Sequence, residues 1–257
     1  CLSCYSCMTT CPSGVNYMHL IDHGRNYVEE TYKRPFFDRL FRNVLSFVLP
    51  RPKVFLVLAY LTKLIKPFSF LLPTFLKNSL NLMPNKIPSK KIEIQKIYKP
   101  ESGKIISRVA LLTGCVQRVI SPEINESTIR ILNRHNVEVV VMPEIECCGS
   151  LNHHLGKKDL AHQSFVQNIE KWHDEYITNG LDAIISNTSG CGTTLKDYGH
   201  IFKNDNDLKK KAKKISELTK DVTEYLEESL DLKIKTNDEK KYKIAYHSAC
   251  SMQHGQK

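Results

Sequence analysis

Residues 108–113 read Arg-Val-Ala-Leu-Leu-Thr and run straight into Gly114-Cys115, and this short stretch decides the fold. An apolar run of this length, closed by a turn signal, is the pattern of a strand buried on both faces. Next, Ser121-Pro122-Glu123 offers an N-cap residue, a proline at the first helical position and an early acid. It predicts a helix to about Asn136. Residues 137–142 (Val-Glu-Val-Val-Val-Met) predict a second buried strand. The stretch 159–178 reads as a helix with Phe165, Ile169, Trp172 and Tyr176 on one face, and 182–187 (Asp-Ala-Ile-Ile-Ser-Asn) as a third strand. Lys-rich helical stretches follow near 205–214 and 216–230, then a strand over 242–247 (Tyr-Lys-Ile-Ala-Tyr-His). Strands alternating with helices predict an α/β domain with a largely parallel, Rossmann-like sheet.

The cysteines map onto this frame. Cys115 follows the first strand, Cys147-Cys148 the second and Cys191 the third, and Cys250 stands in the same way beyond 242–247. In an open parallel sheet the strand C-termini converge on the edge where ligands bind, so these thiols would gather there. The neighbouring Gly149, Gly190 and Gly192 would let backbone N–H groups approach the sulfurs of a cluster. Buried structural cysteines are common one at a time. They account poorly for thiols at equivalent topological positions and for a vicinal pair, so a metal or cluster site is the stronger reading. Residues 108–115 also align without gaps on Lys243-Ile-Ala-Tyr-His-Ser-Ala-Cys250, which predicts that a second copy of the unit begins near 243. His153-His154, His247 and His254 read as solvated or satisfied side chains. Gly190-Cys191-Gly192 lacks the third glycine and the later acid of a dinucleotide fingerprint. No P-loop, Ser-His-Asp or paired-carboxylate site can be argued.

The N-terminus carries a second constellation, Cys1-x2-Cys4-x2-Cys7-x3-Cys11-Pro12. This is the spacing of a bacterial ferredoxin segment, in which three thiolates wrap one 4Fe–4S cluster and the fourth serves a neighbouring cluster. Cys1, Cys4 and Cys7 would bind one cluster and Cys11 the next, and the remaining ligands are expected in sequence before residue 1. A zinc site would want a second, separated pair at a spacing that is absent here.

The 257 residues carry 37 Lys+Arg, 27 Asp+Glu and nine cysteines, for a formal charge of +10. An odd cysteine count with an adjacent pair does not fit a secreted disulfide framework; metal-bound thiolates in a reducing compartment fit both features. No secretory signal is visible. The charge is local: ten bases and no acid lie between Arg39 and Lys91. That segment is also apolar and broken by prolines. Phe37, Leu40, Phe41, Val44, Leu45 and Val48 repeat at helical spacing against Arg39, Arg42, Asn43 and Ser46. Apolar runs over 54–65 and 68–83 and a linker over 84–104 follow. None reaches the roughly 20 apolar residues of a spanning helix. Ahead of them, 15–33 is helical with Leu20, His23, Tyr27 and Thr31 on one stripe. Interleaved aliphatics and phenylalanines make nucleic acid a poor partner for these bases. Two readings stand: a tether whose apolar faces pack on its neighbours, or a seat on an anionic membrane or acidic partner.

The runs CLSCYSCMTTCPSGVNY and HLIDHGRNYVEETYKRP resemble the second ferredoxin motif of the glycolate oxidase iron–sulfur subunit family. GCVQRVISPEINESTIRIL, ECCGSLNHHLG, NTSGCGTTLKDYG and YHSACSMQHGQK resemble the cysteine-rich (CCG) domain of the same family, in the same order. The resemblance implies a division into 1–34 (ferredoxin-type), 35–104 (basic helical linker), 105–241 (first CCG domain) and 242–257 (start of a second). It implies two 4Fe–4S clusters in the intact ferredoxin-type domain and a further cluster at Cys115, Cys147, Cys148 and Cys191. FAD would sit on flavoprotein partner subunits that oxidise glycolate to glyoxylate, with electrons passing on to a quinone or other membrane acceptor at the inner face of the cell membrane. The glycerol-3-phosphate, lactate and heterodisulfide reductase systems are the alternatives. Heterodisulfide-type units end in Cys-x2-Cys, but Thr188 stands three residues before Cys191.

Overall fold

A computed structural model describes residues 1–71, 73–81, 83, 97–230, 232 and 243–256. The linker over 84–96 and the boundary between 241 and 242 lie outside these residues.

The cysteine loop at the N-terminus contains α1 (Ser6–Thr10) and leads into α2 (Tyr17–Thr31), whose N-cap Asn16 side chain accepts from the His19 N–H at 3.4 Å. The buried residues of α2 are Met18 and Asp22, while Leu20, His23 and Tyr27 are exposed. The stripe of Leu20, His23, Tyr27 and Thr31 faces out, and the opposite side docks through Met18 and the ion pairs of Asp22. Next come α3 (Phe36–Val48), α4 (Pro52–Ile65) with proline in its first turn, a 3-10 turn over Lys66–Leu71, and α5 (Thr74–Asn81).

Among the described residues the sheet has five strands: β1 (Ile97–Tyr98), β2 (Ser107–Leu112), β3 (Val137–Val140), β4 (Ala183–Ser186) and β5 (Thr219–Asp221). Their order is β1-β3-β2-β4-β5; β3, β2, β4 and β5 run parallel, and β1 pairs antiparallel with β3. Two strands were not expected. β1 falls within the stretch read as linker, and β5 interrupts the helix read over 216–230; β1 is two residues long and β5 is short and polar, so neither shows a two-residue period.

The helices of this unit are α6 (Gln117–Ile120), α7 (Pro122–Arg134), α8 (Ser150–His154), α9 (Lys158–Asn179), α10 (Ser189–Lys196), α11 (Tyr198–Ile201), α12 (Lys209–Leu218) and α13 (Val222–Ser229). Pro122 opens α7 as expected, but the Ser121 side chain makes no capping bond. Asp221 and Glu224 close a reciprocal capping box on α13. Alternating residues of β2 feed two cores. Ala110 and Leu112 pack with Phe165, Ile169 and Trp172 of α9, whereas Val109 and Leu111 pack with Ile129 and Leu132 of α7. That alternation is why the strand is apolar throughout. The strand expected over 242–247 is not formed: 243–249 has no regular structure, and Ile244 and Tyr246 are exposed. A strand needs a neighbour for its ladder bonds, and none of the five pairs with it. A π-helical turn, Ser251–Gln256, follows and packs on α10, where the Ser251 hydroxyl donates to Ser189 at 2.7 Å.

Candidate functional site

β2, β3 and β4 end on one edge of the sheet, and the thiols gather there. Cys148 and Cys191 have their sulfurs 3.1 Å apart, and Cys147 lies beside Cys148 and Cys115 beside Cys147, near enough for each thiol to shift the next. The order Cys115–Cys147–Cys148–Cys191 is thus an unbroken row of sulfurs from three strand ends. Cys147 and Cys148 are buried and the outer two are half-buried. Cys250 is exposed and is not in the row.

The backbone is shaped for this. Gly149 lies at φ +81°, and a Cβ there would meet the Phe165 ring at 2.5 Å. Its N–H donates to the Cys147 sulfur at 3.4 Å. The Asn168 amide donates to the Cys147 carbonyl at 2.9 Å and to the Tyr198 hydroxyl at 3.0 Å, and that hydroxyl donates to the Cys148 carbonyl at 2.7 Å. Two fully internal side chains therefore clamp both carbonyls of the vicinal pair. Asn168 was legible in principle, as a lone amide on the face carrying Phe165 and Trp172. Thr188 is not part of the row; its hydroxyl donates to Gln117 Oε1 at 2.7 Å.

The electrostatics favour neutral thiols while only protein surrounds them. The Cys115 thiol is pushed far up by its bond to Cys147 and by burial. In Cys147 the bond from Cys115 acts downward, but Cys148 and burial carry the thiol up to about 12. A half-buried cation lies near the row: Arg118, whose guanidinium is lowered by burial, with Glu146 and Cys115 acting in the opposite direction. Its NH1 nitrogen is buried with no hydrogen-bond partner.

At the N-terminus, Ser3 and Tyr5 adopt positive φ (55° and 58°), which bends the loop around Cys1, Cys4 and Cys7. Cys1 and Cys4 are exposed; Cys7, inside α1, and Cys11 are half-buried. Cys11 is held below the ordinary thiol range by the N–H groups of Val15, Ser13 and Gly14 and by the Tyr17 hydroxyl. These donors at the start of α2 form a ready cradle for an anionic sulfur.

The two constellations are joined. Asp22 pairs with Arg25 (3.2 Å), His153 (3.1 Å) and His154 (3.4 Å), and Arg25 reaches back to Ser3 Oγ at 2.8 Å and the Cys1 carbonyl at 3.3 Å. His153 and His154 are thus satisfied partners, as read from sequence. His254 likewise bonds Thr9 at 2.8 Å. A cavity of about 300 Å³ opens at this joint, lined by residues that include His19, Asn26, Asp197 and His200.

Among the described residues, no three His, Cys, Asp or Glu side chains are set around one point to hold a single metal ion. What assembles is a set of thiols, with a guanidinium that has one buried nitrogen unpaired, and a backbone N–H donor, beside them. That donor set fits a thiolate-bound iron–sulfur group: its iron would hold the thiols deprotonated, and its negative charge would answer Arg118.

The family model "Cysteine-rich domain" (CCG) matches residues 109–196, the part of the chain whose strands lead into Cys115, Cys147-Cys148 and Cys191. Over its whole length the chain is similar to iron–sulfur subunits of glycolate oxidase. It is 37% identical over 257 residues to the "Glycolate oxidase iron-sulfur subunit" of Escherichia coli, covering 100% of this chain and 59% of that protein. The "Probable glycolate oxidase iron-sulfur subunit" of Bacillus subtilis is 28% identical over 263 residues (96% of this chain, 58% of that one). "Lactate utilization protein A" of Oceanobacillus iheyensis is 27% identical over 146 residues, 56% of this chain and 57% of that protein. The chain spans just under three fifths of the length of the first two relatives. No solved structure matches it.

Proposed function

We propose that this chain is part of an iron–sulfur electron-transfer subunit of a flavin-dependent 2-hydroxy acid dehydrogenase, with glycolate the substrate of the complex. The observation that carries the reading is the row Cys115–Cys147–Cys148–Cys191 at the strand ends, tied through Asp22 and Arg25 to the ferredoxin-type loop. Glycolate oxidation to glyoxylate releases two electrons and two protons to FAD on a flavoprotein partner. Bound clusters supply one-electron relay chemistry, and the protein supplies ligands, insulation and docking. In this reading Cys1, Cys4 and Cys7 hold one 4Fe–4S cluster, Cys11 serves its neighbour in the intact ferredoxin-like domain, and the row holds a third in a Rossmann-like CCG unit. Cys250 would open the second CCG unit, and a quinone or other acceptor would take the electrons at the inner face of the cell membrane.

Iron and acid-labile sulfide are expected in the anaerobically prepared full-length complex, with EPR signals of reduced clusters on addition of glycolate. Reduction by lactate or glycerol-3-phosphate but not glycolate reassigns the substrate, and the lactate-utilisation relative makes lactate the next candidate. A second reading, thiol–disulfide chemistry, is favoured by the 3.1 Å contact between Cys148 and Cys191. Full activity of iron-free protein would decide for it.

A further inference from the structure

α3 sits on the protein the wrong way round for a soluble helix. Its buried residue is Ser46, whose hydroxyl donates to Asn152 Oδ1 at 2.6 Å. Arg42 on the same side donates to Glu29 (3.0 Å) and to the Leu155 carbonyl (2.7 Å), and Asn43 accepts from Lys157 at 2.6 Å. The polar stripe is therefore the docked one. Phe37, Leu40, Val44 and Phe47 recur at helical spacing on the other side and are exposed, Phe37 by 81%. A helix of a soluble domain buries its apolar stripe; on α3 most of that stripe is left outside, and only Val48 and Leu49 at its end join the apolar cluster of Phe55, Ala59 and Val119. α4 extends the same surface. Phe55 and Ala59 pack on Val119, while Val57, Leu61 and Leu64 point outward, Leu64 by 71%. Phe68 and Phe70 in the following turn are exposed too. Around these side chains Arg39, Arg51, Lys53, Lys63 and Lys77 are exposed, and no acid occurs from residue 39 to residue 91.

From this we infer that the outward face of α3 and α4 lies on an anionic lipid surface. Exposed apolar area of this extent marks an interaction site. An acid-free rim of cations selects negative charge, and amphipathic helices with basic borders settle in the headgroup region. The helices lie on the bilayer rather than cross it. No single described helix is long and apolar enough to span, and the two that pass together are bent by 117°. The inference deepens the membrane arm of the reading above and rests on it, but vesicle binding is read independently of iron content and of substrate oxidation.

The test uses full-length, cluster-loaded protein with phosphatidylcholine vesicles that contain or lack phosphatidylglycerol. Binding is expected only to the anionic vesicles and is expected to weaken with salt. Lys53→Glu and Lys63→Glu are each expected to weaken it roughly fivefold or more. The double variant Phe37→Ser/Leu64→Ser, at solvent-exposed positions, is expected to retain its iron and lose at least about tenfold in affinity. Three outcomes overturn the inference: wild type that ignores anionic vesicles, a double variant that binds like wild type, or Phe37 and Phe47 shielded from hydroxyl-radical labelling in the vesicle-free complex. The last would place the flavoprotein or another part of the subunit on this face.

Discussion

Asp22 on α2 and His153 on α8 meet at 3.1 Å, joining the helix that follows one cysteine constellation to the helix that follows the other. Burial alone would raise the Asp22 carboxyl; hydrogen bonds from His153 and His154 more than offset it and hold the group well below the usual carboxylate range. A carboxylate depressed on folding contributes stability that is complete above its unfolded pKa and is lost as pH falls through the folded value. Asp22→Asn is therefore expected to cost about 3 kcal/mol at neutral pH, since it strands Arg25 and the histidines. The difference from wild type should shrink in strong acid. Denaturation curves across pH check this, and a variant as stable as wild type at neutral pH would refute it.

Arg108 opens β2 with one guanidinium on two buried acids, Glu138 at 2.7 Å and Glu175 on α9. Removing the cation leaves both carboxylates internal and uncompensated. Arg108→Ala is expected to destabilise the sheet by about 3–5 kcal/mol. Replacing all three by apolar residues of similar volume is expected to recover most of that. Urea unfolding distinguishes the outcomes; an Arg108→Ala midpoint equal to wild type would show that the acids find water instead.

The fold was legible where burial forces composition. The runs at 108–113, 137–142 and 182–187 are apolar because both faces of β2, β3 and β4 are covered, and the cysteines stand out because they follow these runs. β5 was not legible, since Thr-Lys-Asp has no hydrophobic period and is held by its neighbour β4 and by the Asp221 cap. The facing of α2 and α3 was not legible for a related reason. Periodicity locates two faces but not which one docks, and both helices dock through charged and polar side chains that find partners far away in sequence. The clamp on the vicinal cysteines needed Asn168 and Tyr198 to meet across a 30-residue separation, which one sequence does not encode visibly.

That clamp yields a separable effect. Tyr198→Phe removes the donor to the Cys148 carbonyl and the acceptor for Asn168 while keeping the ring against Phe165, whose centroid lies 4.9 Å away. A loss of about 1–3 kcal/mol is expected from the stranded groups. The EPR signature of the CCG site should shift while that of the N-terminal clusters stays put. Equal shifts in both would mean that the variant loosens the whole molecule.

The row of sulfurs predicts which cysteines act together. Cys115→Ser, Cys148→Ser and Cys191→Ser each break the row at a different strand end, so each is expected to remove the same increment of iron and sulfide from the full-length protein. The clusters proposed for Cys1, Cys4, Cys7 and Cys11 are expected to persist, because that loop is shaped by Ser3, Tyr5 and the N–H cradle at α2. Thr188→Ala serves as the control: its hydroxyl is bonded to Gln117 and lies outside the row, so iron content should not change. Iron lost from Thr188→Ala but kept in Cys191→Ser would reverse the assignment and put the fourth ligand position where heterodisulfide-type units have theirs.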